Sequence, residues 1–230
     1  MNQKKGTANM ILDRTSLMKT VDNINEHFLY GELIPTQEGL EAARWIAAQQ
    51  GKKGHYRYMF APTPFDFEQG MRLFTGERLV CASARHIMGQ EAARAAWLLG
   101  KNDLIVRDAY HRATGWMNEE PGFQQSGTFC CGRCTLAYWR HTWVRDFEHK
   151  EMHIAKGLQV MKDSRSGDGE WRRFPFFYGI YALLDLDLEE ASAELKYARS
   201  AIEKHLKHNR AGVYSKRRVA IFEKALQKIN

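Results

Sequence analysis

Helical periodicity constrains the fold of this chain more than any other feature of its sequence. In nearly every segment apolar residues recur three and four positions apart, and strict alternation of apolar and polar residues is rare. This spacing places apolar side chains along one face of a helix. The sequence therefore predicts an all-α protein. We expect helices near residues 10–29, 37–50, 80–99, 103–116, 129–145, 149–162, 173–185, 188–207 and 215–228.

Two acidic residues mark expected helix starts. Asp103 follows the Gly100 that ends one predicted helix, and Asp187 has Glu190 three positions later, the spacing of a capping box. Between the second and third predicted helices, residues 55–78 contain two prolines and two glycines together with several aromatic side chains. We expect this stretch to be an ordered loop that packs against the helices.

Length and composition predict one domain spanning residues 1–230. Of the 230 residues, 44% are apolar and 12% are aromatic, which is enough for a sizeable core. The chain has no run of about 18 uncharged apolar residues, and no signal-peptide stretch precedes the first charges. Three of the four cysteines fall within five positions, unlike a secreted disulfide framework. We therefore expect a cytoplasmic protein with reduced thiols and no membrane insertion.

A net charge of +7 favours anionic partners without choosing among nucleic acid, a phosphorylated ligand and an acidic protein. The predicted C-terminal helical pair, residues 187–230, is especially basic. It carries Lys204, Lys207, Arg210, Lys216, Arg217 and Arg218. Such a surface suits a phosphate backbone. The alternative function for the chain is therefore a non-enzymatic helical-repeat scaffold that binds nucleic acid or a protein partner.

A degenerate repeat recurs at the ends of predicted helices. Its three copies contain Gln50, Gly54 and Tyr56, then Asn118, Gly122 and Phe123, and finally Arg165, Gly169 and Trp171. In each copy a glycine suits the positive φ of a tight turn, and a ring beside it can fill the space between neighbouring hairpins. The repeat therefore predicts helical hairpins that stack side by side.

Over residues 36–186 this pattern resembles the α/α-toroid repeats of the terpenoid cyclase and protein prenyltransferase superfamily, whose repeats end a helix in Q-x3-G-x-W. The resemblance implies an α/α-toroid-like partial barrel with a concave inner face. Fewer helical pairs are predicted than close a full toroid, so we expect an open arc, a small variant or half of a homo-oligomer. Because LLDLDLEEA offers only Asp185 and Asp187 in place of a D-x-D-D motif, catalytic residues are not identified and enzymatic activity is left open.

The segment FCCGRCTLAYWRH, residues 129–141, concentrates side chains that can bind metals. Cys130, Cys134 and His141 share one stripe of a predicted helix. However, Cys134 and His141 are about 10 Å apart along the helix axis, too far to bind one ion through bonds near 2 Å. We therefore exclude a shared ion for these two residues.

Three interpretations of the cysteines stay open. Cys134 could chelate an ion with Cys130 or Cys131, but at least one further ligand would have to come from elsewhere, such as Cys81 or His86. Cys131 and Cys134 also form a C-x-x-C motif near a helix start, where the helix dipole favours a reactive thiolate. Packing of small side chains between helices is the favoured interpretation. We accordingly predict no metal and no cofactor.

The aromatic and basic segment WRRFPFFYGIYALL, residues 171–184, indicates a ligand pocket. The starts of three predicted inner helices would converge there on the concave face. The candidate ligand-binding residues are Arg85, His86, Cys131, Cys134, Tyr138, Arg173, Phe177 and Tyr178. We expect the protein to bind a small apolar or isoprenoid-like anionic ligand, with rings around the apolar part and arginine at the anionic end.

Overall fold

Every predicted helix has a counterpart in the structure, a computed structural model that describes residues 11–80, 82–208 and 211–230. The helices are α1 Leu17–Tyr30, α2 Thr36–Ala47, α3 Pro64–Gln69, α4 Ser83–Gly100, α5 Leu104–Thr114, α6 Pro121–Ser126, α7 Gly132–Val144, α8 Lys150–Asp163, α9 Phe176–Asp185, α10 Glu189–Lys207 and α11 Val213–Ile229, with a 3-10 helix Gly115–Glu119 after α5. Strand pairing among the described residues consists of isolated bridges. The prediction of an all-α fold is therefore confirmed.

The first helix begins later than predicted, at Leu17, because Ser16 caps it. The Ser16 side chain accepts a hydrogen bond from the backbone N–H of Lys19. The buried carboxylate of Asp66 accepts from the Ser16 hydroxyl and from the Leu17 N–H. Asp66 lies in α3, inside the 55–78 stretch, so this loop is ordered partly by its contact with the start of α1.

The two acidic cap predictions have different outcomes. The Asp103 side chain accepts a hydrogen bond from the Val106 N–H, 3.1 Å away, and so caps α5 as predicted. The Asp187 prediction is wrong. Leu188 occupies the cap position of α10, with no side-chain cap, and its carbonyl accepts from the Ser192 N–H. Asp187 therefore lies one residue too early to cap this helix.

Five helices contact one another in a closed order. Helix α1 packs on α4, α4 on α7, α7 on α9, α9 on α11, and α11 packs back on α1. Outside them, α2 and α5 pack on α4, α8 packs on α7, and α10 packs on both α9 and α11. The chain thus forms an inner ring of helices with a second layer around part of it. We refer to α1, α4, α7, α9 and α11 as the inner ring.

Charged side chains fill the centre of this ring, where the sequence predicts a hollow. The fully buried guanidinium of Arg140 donates from Nε to Asp185, 2.9 Å away, and lies 3.4 Å from Glu91. Arg94 also binds Asp185, at 3.0 Å. Although burial opposes ionisation, the charges of Arg94 and Arg140 hold the pKa of Asp185 below its usual value. These residues form the central network, which joins α4, α7 and the end of α9.

The first and third repeat turns share a glycine of positive φ but not the setting of their aromatic ring. The prediction for the second turn is wrong, because Gly122 lies inside α6 and does not adopt positive φ. Gly54 and Gly169 both adopt positive φ, at 96° and 93°. Trp171 is buried and donates to the Glu194 carboxylate. Tyr56 is half-buried and instead packs against the His86 ring in a tilted arrangement. Because the two rings have unrelated neighbours, these turns are built differently, and the toroid resemblance stays a prediction.

Candidate functional site

The candidate site lies where α4 and α7 begin side by side. His86 is in the first turn of α4, Cys134 is in the first turn of α7, and Cys130 and Cys131 immediately precede α7. The Sγ atom of Cys134 lies 3.7 Å from Nδ1 of His86. One ligand atom from each of His86, Cys130 and Cys134 lies within 4.8 Å of the other two. We refer to these three residues as the Cys-His cluster.

The backbone around Cys130 is held in an unusual conformation. Cys130 has a φ of 57°, which non-glycine residues adopt infrequently. On one side of it, the Phe129 N–H donates to Oγ1 of Thr135 at 2.9 Å, and the Thr135 hydroxyl donates to the Phe129 carbonyl at 3.0 Å. These two bonds connect the segment before α7 to the helix itself, so the position of Cys130 is fixed relative to Cys134.

Aromatic rings enclose the imidazole of His86. The Tyr56 ring lies 3.6 Å from it, centroid to centroid, and the Phe129 ring lies 5.8 Å away. Partial burial lowers the pKa of His86, and the positive charge of Arg57 adds to this effect. The imidazole is therefore neutral at pH 7, with a nitrogen lone pair available.

Cys131 and Cys134 behave as one thiol pair, with their Sγ atoms 3.6 Å apart. The hydrogen bond between them lowers the pKa of Cys131 to about 5, helped by backbone N–H groups of Arg133 and Cys134 and opposed by partial burial. The same bond, together with burial, raises the pKa of Cys134. These opposite shifts in pKa favour ionisation of Cys131 over Cys134, and the helix start beside Cys131 favours its thiolate.

A basic depression adjoins this pair. It has a volume of about 380 Å³ and is lined by Ser83, Cys131, Gly132, Arg133, Arg172, Arg173, Phe174 and Pro175. Arg172 and Arg173 are exposed and Arg133 is half-buried. None of the three arginines forms an ion pair with any residue that the structure describes. We refer to this feature as the arginine depression.

Half of the predicted ligand-binding residues come together. His86, Cys131 and Cys134 lie around the start of α7, and Arg173 shares the arginine depression with Cys131. Cys81, which the sequence offers as a further metal ligand, lies outside the described residues.

The other four predicted residues lie elsewhere. Arg85 is exposed above the Phe67 ring. Tyr138 is fully buried, and its hydroxyl donates to the Met117 carbonyl. Tyr178 is also fully buried, with its hydroxyl bonded to Glu91 of the central network. Phe177 lines a different depression, with His205, His208, Ser215, Arg218, Val219 and Phe222.

His141 takes no part in the Cys-His cluster, as its axial distance from Cys134 predicts. Its ring is fully buried between the Tyr110 hydroxyl, 2.6 Å away, and Oε1 of Gln90, 2.7 Å away. It is therefore a hydrogen-bonded core histidine.

Arg133, Arg172 and Tyr56 are among the site residues that the sequence-based list of ligand-binding residues omits. Arg133 lies inside the C-x-x-C motif at a helix start, and this position is a signal that could have identified it. Nothing in the sequence predicts the contact of Tyr56 with His86, because the two residues are 30 positions apart and the loop between them is irregular.

Among the described residues, no helix combines the length and the apolar character that crossing a bilayer requires. Comparisons of the chain with protein-family models, with curated proteins and with solved structures find no match. The geometry around the start of α7 is therefore the basis for inferring a function.

Proposed function

We propose that the protein binds a small anionic ligand, carrying phosphate or carboxylate groups, in the arginine depression. The observation that carries this proposal is the convergence of Arg133, Arg172 and Arg173 on one depression, where none of them pairs with an acidic residue in the described part of the chain. Guanidinium groups form charge-assisted and often bidentate hydrogen bonds with carboxylate and phosphate. Three guanidinium groups around one depression therefore favour binding of an anion from solution.

The start of α7 adds to this preference. Its N-terminal cap, Cys131, makes no side-chain capping hydrogen bond, and the depression is lined by the first residues of the helix. The positive end of the helix dipole and the arginines thus face the same space. We restrict the proposal to the anionic group of the ligand. The central network occupies the centre of the inner ring, where the sequence predicts binding of the ligand's apolar part.

The alternative of a nucleic-acid-binding tail receives less support. Arg217 is buried and binds Asp22 and Glu26 of α1. Arg218 donates to the Thr75 carbonyl and lies over the Phe177 ring. These two arginines serve internal contacts, which leaves fewer cations on this surface for a phosphate backbone.

The test is calorimetric titration with pyrophosphate and with citrate at constant ionic strength, which distinguishes phosphate from carboxylate ligands. We expect at least one anion to bind. The double variant Arg172→Gln/Arg173→Gln should weaken its Kd tenfold or more, since hydrogen bonds to charged groups contribute about 1.5–3 kcal/mol each. The control is Arg199→Gln, which removes an exposed arginine from α10. Equal affinities of the double variant and wild type, or no binding of either anion, would refute the proposal.

A further inference from the structure

The Cys-His cluster has the geometry of a metal site, and we propose that His86, Cys130 and Cys134 bind one Zn²⁺ ion. This inference goes beyond the anion proposal and does not depend on it. It differs from the packing role that the sequence favours for these cysteines.

The distances between ligand atoms carry the proposal. Around a tetrahedral Zn²⁺ with Zn–S bonds of about 2.3 Å and Zn–N bonds of about 2.0–2.1 Å, neighbouring ligand atoms lie about 3.5–3.8 Å apart. Nδ1 of His86 and Sγ of Cys134 are 3.7 Å apart. With Cys130 included, all three ligand atoms lie within 4.8 Å of one another. An ion can therefore be bound through small side-chain rotations, without movement of α4 or α7.

The donor set selects the class of ion. Two thiols and one imidazole are ligands that Zn²⁺ and other soft or borderline ions prefer. The three residues supply no carboxylate or carbonyl oxygen, which Ca²⁺ and Mg²⁺ require. A ligand set of two cysteines and one histidine also occurs in catalytic zinc sites that keep a fourth position for water or substrate.

The surrounding structure holds the ligands in place before an ion arrives. Cys134 is fully buried in α7, and the Tyr56 ring packs 3.6 Å from the His86 ring. Thr135 fixes the backbone of Phe129, beside Cys130, through two hydrogen bonds. Cys130 itself is exposed, so an ion can enter from its side. Such preorganisation reduces the entropy lost when the site is formed.

Cys131 is the neighbouring thiol that the proposal leaves out. Its Sγ lies 3.6 Å from that of Cys134, but it does not belong to the set of three within 4.8 Å. Its side chain lines the arginine depression instead. We therefore assign Cys131 to the depression and three protein ligands to the ion, with solvent at the fourth position.

The experiment is elemental analysis of the full-length protein, expressed with zinc in the medium and purified with its thiols reduced. We expect about one equivalent of zinc. The metal-free protein should also bind Co²⁺ and develop the absorption of thiolate-to-cobalt charge transfer. Less than about a tenth of an equivalent of zinc, together with no such absorption, would overturn the proposal.

Serine variants of adjacent cysteines provide a matched control. Cys130→Ser and His86→Gln should weaken Zn²⁺ binding by at least tenfold in competition with a chromophoric chelator, whereas Cys131→Ser should not. Cys130 is exposed, so its variant should fold normally, and circular dichroism checks this. Equal loss of zinc in Cys131→Ser and Cys130→Ser would overturn the assignment of three ligands. If Cys130→Ser loses zinc but still binds pyrophosphate, the change affects the Cys-His cluster and not the arginine depression.

Discussion

The backbone of Gly132 lies so close to the carbonyl oxygen of Arg173 that a methyl group added at Gly132 would be 1.9 Å from it. This contact joins the first residue of α7 to the segment that precedes α9. It brings Arg173 beside Cys131 and so creates one wall of the arginine depression. Only glycine allows the two backbones to approach so closely.

We therefore expect Gly132→Ala to push the Arg173 segment away from α7. Overpacking of this kind costs about 1–3 kcal/mol of unfolding free energy, and displacement of Arg173 should also weaken pyrophosphate binding. Chemical denaturation and calorimetry measure the two effects. Gly115→Ala is the control, because a methyl group there meets no atom within 4 Å. If Gly132→Ala were as stable as Gly115→Ala, the close approach would be contradicted.

Removal of Arg140 should be among the most destabilising single changes in this protein. Arg140 is fully buried between Glu91 and Asp185, and its guanidinium lies 3.7 Å from the centre of the Tyr181 ring. Arg140→Met leaves the buried Glu91 without its arginine and Asp185 with Arg94 alone, and breaking a buried ion pair costs about 3–5 kcal/mol. Denaturant unfolding measures this loss. Arg199→Met, at an exposed position, should change stability by less than about 1 kcal/mol.

The buried His141 should make stability depend on pH below neutrality. Burial lowers the pKa of His141 well below its usual value, and the positive charges of Arg145 and Arg94 add to the effect. Below about pH 6.5 the unfolded chain binds a proton that the folded protein rejects. The unfolding free energy should therefore fall as pH drops, by up to about 1.4 kcal/mol per unit, until the folded pKa is reached.

The variant His141→Gln isolates this effect. It should lower the unfolding free energy at pH 7.5, because the hydrogen bonds to Tyr110 and Gln90 are disturbed. It should also reduce the dependence of the unfolding free energy on pH between pH 5 and 6.5. His86 and His153, whose pKa values burial also lowers, contribute a residual slope of the same sign. A slope as steep in His141→Gln as in wild type would show that another group is responsible. The control is His149→Gln, at an exposed position.

Periodicity predicts the long helices of this chain and fails for the short ones. Helices α3 and α6 have six residues each, too few to show a repeat of 3.6 positions, and both begin at a proline. The prediction of a helix cap depends on the exact residue at which the helix begins. Asp103 occupies the cap position of its helix, whereas Asp187 is one residue away from it, a shift within the ordinary uncertainty of helix ends.

Much less of the site could be predicted. The sequence indicates that Cys134 could chelate with a ligand from elsewhere, and it names His86 among the candidates, but the pairing of α4 with α7 is needed to choose it. It also assigns Tyr178 to a pocket, whereas the structure buries this residue against Glu91, 87 positions away. A charged residue is predicted to lie at the surface unless its distant partner is known. The central network therefore cannot be predicted from a single sequence.

Arg217 closes the inner ring, and its removal should open it. This buried side chain on α11 donates to Asp22 at 2.8 Å and to Glu26 at 2.9 Å, both on α1, and to the Phe74 carbonyl at 3.1 Å. Arg217→Met removes all three bonds and leaves two carboxylates facing an apolar side chain. We expect a loss of roughly 3 kcal/mol of unfolding free energy.

The loss of stability in Arg217→Met should be concentrated in particular helices as well as measurable for the whole protein. Arg217 links α11 to α1, so its removal should loosen these two helices first. Hydrogen exchange should therefore be faster in α11 and α1 of Arg217→Met, while the amides of α4 and α7 keep their protection. The adjacent variant Lys216→Met removes an exposed cation from the same helix turn and should leave both stability and exchange nearly unchanged. If the two variants behaved alike, the ring would be closed by the apolar contacts of α11 with α9, and the ion pairs with α1 would be secondary.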